Sequence, residues 1–443
     1  MTDMPDQEQH TETETRAAKP TRQRERGVAL IAVLIAITIT IVISNDFGTS
    51  TTTDINAAAN YRDQMRAHFL ARSAQNLGEL VVRIQGRIDN MKDFQGQVQI
   101  TDYAGMLTSP LCGGADEVKD MFGVLPSDSQ GLGADIGTCG FNDVFTTEDD
   151  KINLNCANNT TAFPIIKSAL DALVYFKAYD PVFEEADAEG WRRDRAQQVG
   201  AILDYIDGDT MKLKDRGTSE DYNYEGLKDR YQPKNNYIDT LSEVKLARGV
   251  DDRFWTLFEH AFTIYGGCKV NMAAVSNVQL IAAILFLSAK NPNDPVLMDP
   301  RKLFALAGIV AKAKQMGETF AKLDDFVTFV KDPSAAIEAL AGTTGMAGSA
   351  ASSALATGLM PGEKIGLELD PKKLGTIATS GPRRTYRIEA FGEIARKQTD
   401  NEGRPVFPPI RSTITGVWDT KFVPQNVRKQ PVPKGAWVFL RED

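Results

Sequence analysis

Five carboxylates crowd one short stretch of the chain: Asp204, Asp207, Asp209, Glu220 and Asp221. Asp215 lies among them, and Gly208 and Gly217 mark the stretch as a loop. Like charges at this density repel one another unless a cation or basic side chains intervene. Calcium takes roughly six to eight oxygen ligands in flexible geometry, so an irregular loop of this kind can wrap it. The spacing is not that of an EF-hand, because a frame begun at Asp207 puts Met211 where the fifth-position ligand should stand. Two other readings stay open. Lys212, Lys214 and Arg216 could balance a solvated acidic face. A pair of the carboxylates could also serve acid–base hydrolysis, although no nucleophile or oxyanion motif accompanies them.

Four cysteines, Cys112, Cys139, Cys156 and Cys268, show no CxxC spacing. Their even number favours disulfides in an oxidising compartment over a metal or redox site. Three pairings are possible. Cys112 and Cys139 flank a Gly-rich stretch, which suggests a local staple, and Cys156 would then join the distant Cys268. The histidines are His10, His68 and His260, too few and too scattered for a His-based triad or a multi-histidine zinc site. A net charge of −9 argues against a broad nucleic-acid surface.

These residues need a frame, and its first part is the most informative segment. Arg22, Arg24 and Arg26 lead to Gly27, and an uncharged run of sixteen residues, Val28 to Ile43, follows at once. Only Thr38 and Thr40 interrupt its fourteen apolar residues. As a helix the run spans about 24 Å, short for a hydrocarbon core of about 30 Å. A cleavable secretory signal keeps its small residue after the apolar core; here Gly27 stands before it. That order resembles a prepilin-type leader, cut between Gly27 and Val28 so that the apolar segment stays as the first helix. An ordinary single-pass anchor is the alternative. Both put the bulk of the chain outside the cytoplasm, since Arg16, Lys19, Arg22, Arg24 and Arg26 all precede the segment.

Helical spacing continues through Met65, Phe69, Ala74, Leu77, Leu80, Val81 and Ile84. Residues 91–160 read as short strands with loops, including Gln97–Ile100, Phe141–Phe145 and Lys151–Asn155. Residues 161–340 read as short helices, with capping boxes at Ser276–Gln279 and Thr240–Glu243. Val278–Leu287 is nearly all apolar yet too short to cross a membrane, so it reads as a buried core helix. A Gly/Ser/Ala-rich stretch at 341–363 reads as a linker. Thr385–Ile394 and Ser412–Thr420 alternate as an antiparallel hairpin. Strands before and after a helical block predict an α+β fold in which a sheet is interrupted by an inserted helical domain. The expected division is leader 1–27, membrane and stem helix 28–90, first sheet segment 91–160, inserted domain 161–340, linker 341–380 and closing strands 381–443.

Three stretches, in order behind the leader, carry a family resemblance. They are Glu148-Asp-Asp-Lys-Ile-Asn-Leu-Asn155; Ala201–Asp209 followed by Tyr222, Tyr224, Pro233-Lys-Asn-Asn236, Leu241-Ser-Glu243 and Gly249-Val250; and Thr263–Ala274. Together they resemble the GspK family of minor pseudopilins of the type II secretion system. The resemblance implies a pilin-type N-terminal helix, a pilin-like antiparallel sheet and a large inserted SAM-like helical domain. It implies a non-enzymatic subunit of the bacterial inner membrane, most of it periplasmic, at the tip of a pseudopilus. The partners it implies are minor pseudopilins I and J, other pseudopilins and prepilin peptidase, and the cofactor is calcium in the helical domain. Major pilins carry Glu at the fifth mature position; counting from Val28 puts Ala32 there, as the family's tip subunits lack that Glu. Lys269–Ala274 with Leu280 also resembles the opening of a helix–hairpin–helix DNA-binding unit, but the Gly-hydrophobic-Gly hairpin is missing after Ile284. A membrane-anchored DNA-binding protein and an anchored periplasmic hydrolase are therefore the lesser readings.

Overall fold

The computed structural model describes residues 23–91, 98–112, 137–142, 145–186, 190–191, 194–211, 213, 220, 224–315, 318–333, 365–395, 408–422 and 435–443. The leader before residue 23, Asp221, the basic residues Lys212, Lys214 and Arg216, and the stretch 341–363 lie outside the described residues. Helix α1 runs from Gln23 to Ile88. The chain divides into two compact units at Met65.

The described part of the first unit is helical, and residues 28–50, with Val28 and Ala32 among them, are exposed throughout. It holds, among the described residues, the one stretch apolar and long enough to cross a membrane. Thr38 Oγ1 donates to the carbonyls of Leu34 and Ile35, and Thr40 Oγ1 to that of Ala36. The two hydroxyls in the apolar run are thus satisfied inside the helix.

The second unit begins at Arg66. Its five-stranded sheet has β7 (Thr385–Ile394) and β8 (Ile410–Asp419) at the centre and β9 (Ala436–Glu442) at one edge. On the other side of β7 lie β1 (Thr138–Phe141) and β2 (Thr146–Thr147), at opposite ends of it. All pairings in this sheet are antiparallel. Strands from before and after the helical block therefore share one sheet. Residues 66–88 of α1 lie on it: Val81 and Val82 pack with Phe145, Tyr386, Ile388 and Trp418. The buried face of this part is Ala67, Ala71, Ala74, Gln75, Gly78, Val81, Val82 and Gln85, with small residues where the helix comes closest. At Gly392 a Cβ atom would stand 2.1 Å from Ala67 O and 2.5 Å from Ala71 N, so only glycine admits the helix backbone there.

Between β2 and β7 runs the helical block. After α2 (Ala104–Cys112), which precedes β1, it contains α3 (Phe163–Leu173), α4 (Arg195–Ile206), α5 (Asp252–Phe258), α6 (Val278–Ser288), α7 (Pro300–Gln315), α8 (Leu323–Lys331) and α9 (Pro371–Ile377). Its core centres on α6, where Leu280 through Leu285 are all buried. Burying each Leu or Ile there contributes about 1.5–3 kcal/mol, which a short all-apolar helix gains only by being surrounded. Two parallel two-stranded pairs, β3 (Ile152–Asn153) with β4 (Phe262–Thr263) and β5 (Val270–Asn271) with β6 (Ala378–Thr379), tie distant parts of the block together.

Four local expectations differ from this. Val98 and Gln99 are not strand, and Ile100–Tyr103 is a 3-10 turn. Gln85 of α1 takes the hydrogen bonds a neighbouring strand would supply: its Nε2 donates to Val98 O and its Oε1 accepts from Ile100 N. Lys151–Asn155 yields only the two residues of β3 before a 3-10 turn at Leu154–Asn158. The cap of α6 is Asn277, which accepts from Gln279 N and Leu280 N, rather than Ser276. Residues 365–379 belong to the helical block rather than to a linker, because Ile365, Leu367, Leu369, Leu374 and Ile377 are buried in its core.

Candidate metal centre

Helix α4 delivers the acidic loop. Asp194 caps its start by accepting from Gln197 N. Its last turn is buried, and Asp207, extended at φ −68°, ends it. Asn158 Nδ2 donates to Ile206 O at 2.7 Å, and Asn235 N donates to Tyr205 O at 3.0 Å. The helix thus ends among side chains that fix its last carbonyls, and its C-terminal dipole adds negative potential to the loop. Asn235 stands at φ 49°, a left-handed position that asparagine tolerates, and its Nδ2 donates to Asp209 O at 2.7 Å.

Of the expected carboxylates among the described residues, the structure gathers three. Ligand oxygens of Asp207, Asp209 and Glu220 lie within 4.8 Å of one another. Asp204 is buried beside them, with its carboxylate accepting from Leu213 N at 3.2 Å. Glu220 is 2% exposed and neither of its oxygens has a hydrogen-bond partner. Asp207 Oδ1 and Asn235 Oδ1 are buried without partners as well. A buried carboxylate left this way costs several times a surface one. Burial, with Asp204 and Asp209 nearby, pushes the Asp207 carboxyl up to about 7. Burial, with Asp207 and Asp204, pushes Glu220 up to about 8. The donor set is all oxygen, which suits a hard cation such as calcium or magnesium rather than zinc or copper. Asp207, Asp209 and Glu220 would hold such an ion, and Asn235 Oδ1 is a further oxygen at hand. Bound there, it would neutralise the carboxylates and fix the loop at the end of α4. Sequence reading missed Asn235 as a site residue; the signal was its place in Pro233-Lys-Asn-Asn236, where an asparagine favours a left-handed turn.

The other quoted stretches knit the block around this loop. Asn155 Nδ2 donates to Ile238 O and Ile264 O, and Asn155 Oδ1 accepts from Ile238 N. Asn153 Nδ2 donates to Gly266 O. Glu148, nearly fully buried, accepts from Thr263 Oγ1, Lys151 Nζ and Arg387 Nε, so it joins the block to strand β7. Thr240 and Glu243 form the capping box at the start of a 3-10 helix, Leu241–Leu246. The segment Lys269–Ala274 spends its backbone donors inside the fold: Asn271 N donates to Asp149 O and Met272 N to Thr379 O. Cys112 is bonded to Cys139, and Cys156, just after β3, to Cys268.

No family model matches this chain, and no curated protein does. Among solved structures it is similar to a chain of the crystal structure of the GspK–GspI–GspJ complex from the type 2 secretion system of enterotoxigenic Escherichia coli. The TM-score is 0.45 at 14% identity, over 88% of this chain and 99% of that one.

Proposed function

We propose that the chain is a GspK-type minor pseudopilin, processed by a prepilin peptidase and placed at the tip of a type II secretion pseudopilus, where it helps start assembly and protein export. The observation that carries this reading is the sheet built from both ends of an insertion: β1 and β2 before the helical block pair with β7 after it. Behind a basic leader and Gly27, that sheet supports a pilin-type subunit carrying a large inserted domain. Minor pseudopilins I and J are its partners in this reading, the inner membrane holds residues 28–43, and the remainder is periplasmic. Its role is structural rather than enzymatic. Calcium at Asp207, Asp209 and Glu220 orders the loop that α4 presents.

N-terminal sequencing and co-purification test the reading together. Protein extracted from membranes should begin at Val28 and bring down minor pseudopilins I and J. A start at Met1 with neither partner present would leave an ordinary anchored protein.

A further inference from the structure

The chain crosses between the sheet and the helical block twice, in the turn after β2 and in the segment leading into β7. The two crossings lie side by side. Thr147 Oγ1 donates to Thr385 O at 2.9 Å, and Asp149 Oδ2 accepts from Thr385 N at 3.0 Å. A block held at two adjacent crossings can hinge there, since a few residues at element ends absorb the rotation. Lys314, in the last turn of α7, reaches this place from inside the block. Its Nζ donates to Val275 O at 2.6 Å.

The charges around that amine do not suit it. From the second crossing it faces Arg383, a like charge; from the first it faces Asp150, and from the 3-10 turn at Ile100–Tyr103 it faces Asp102. Asp102 is taken by Arg383, at 2.5 Å. Asp150 Oδ1 is buried without a hydrogen-bond partner, and Asp150 also faces Lys151 and Glu148. The neighbouring Glu148 and Asp149 are already bonded, the first to Thr263, Lys151 and Arg387 and the second to the backbone of Arg384 and Thr385. Lys314 gives its hydrogen bond to a neutral carbonyl rather than to either carboxylate. A neutral amine keeps that bond, whereas a charged one adds a desolvation cost that the carbonyl offsets only in part. Enclosure by protein, with Arg383 beside it, pushes the Lys314 amine down to about 7 against the pull of Asp150 and Asp102.

We propose that Lys314 makes these two crossings a proton-operated hinge: a charged amine loosens the block on the sheet, and a neutral one seats it. Opening the hinge returns the amine to water, where it holds its proton up to about pH 10. Between about pH 7 and pH 10 the open state therefore binds more protons than the closed one. The closed hinge gains stability as pH rises through that window and loses it as pH falls back. The device belongs to the fold and stands whether or not the chain caps a pseudopilus.

The test is amide hydrogen exchange on the full chain in detergent micelles, at one fixed calcium concentration and corrected for intrinsic exchange. Protection of residues 147–153 and 378–386 should rise at least about tenfold from pH 6 to pH 8.5. Lys314→Met has no proton to lose and should flatten that rise. Lys314→Arg keeps a charge that cannot be shed and should flatten it at the low level. If the Met variant folds poorly, the Arg variant decides alone. Asp150→Asn removes a carboxylate that favours the charged amine, so the midpoint of the rise should move to lower pH. A merely structural lysine would leave that midpoint in place. Protection that does not rise with pH, a rise that Lys314→Met or Lys314→Arg leaves intact, or a midpoint that Asp150→Asn fails to lower would overturn the proposal.

Discussion

Glu220 is the residue with the most to gain from a ligand, since both its oxygens are buried and unpaired. In the cation-free protein Glu220 and Asp207 hold their protons up to about 8 and about 7. In the unfolded chain they lose them near 4. Between roughly pH 4 and pH 8 the folded state therefore binds more protons, and stability falls as pH rises through that window. In the reading proposed here calcium would replace the protons and bind only the folded state, so its stabilisation would grow with pH. The melting temperature should drop from pH 5 to pH 8 in chelator, and calcium should raise it more at pH 8 than at pH 5. Asp207→Ala should remove most of the calcium increment; the cation-free melting point should change little at pH 5, where Asp207 keeps its proton, and rise at pH 8, where a buried charge is removed. Magnesium should do less, because it demands a tighter octahedral cage. A melting point indifferent to chelation at both pH values would show a solvated acidic face.

The elements are held together by a few close contacts. Gly392 of β7 is one: a Cβ there would also meet Leu70 Cβ at 2.7 Å. Gly392→Ala should cost about 2–3 kcal/mol as α1 is pushed off the sheet, read as a lower denaturation midpoint; an unchanged midpoint would mean the helix is not seated on β7. The Cys156–Cys268 bond closes a separation of 112 residues and Cys112–Cys139 one of 27. Chain entropy therefore ranks the first higher, and its removal should cost about 2–5 kcal/mol. Replacing Cys156 and Cys268 with Ala should lower the melting temperature further than replacing the other pair. Much of this frame was legible. The alternation in Thr385–Ile394 announced β7, the helical spacing near Leu77 and Val81 announced the stem, and the apolar run at Val278 announced the buried α6. What escaped depended on distant partners. Ile100 looks like strand until Gln85 takes its hydrogen bonds, and β9 shows no alternation in Trp437–Leu440 because its pairing with β8 defines it. In the site the carboxylates were visible by density alone. Which three converge was not, because Asp204 turns to Leu213 N and Asn235 arrives from another segment.

In the reading proposed here the placement of the whole molecule rests on where its insertion sits. Residues between β2 and β7 form a block far larger than the sheet it interrupts. The proposed filament of stems packed side by side would repeat its subunit at short intervals, and a block of that size would sit where no copy must stack above it. Ala32 agrees with that position. In the reading proposed here an interior subunit uses a carboxylate at this point of its stem to meet a neighbour's terminal ammonium, and a terminal subunit has no such neighbour. Introducing the acid should therefore harm rather than help. Ala32→Glu would leave a carboxylate in apolar surroundings without a partner, at about 2.5–3.5 kcal/mol by insertion scales, and should lower the number of pseudopili per cell. The unaltered chain should be found at filament ends, at a small fraction of the major subunit's abundance. Labelled copies distributed along the filament, or an Ala32→Glu variant that assembles better than the parent, would place this subunit in the shaft and overturn the tip assignment.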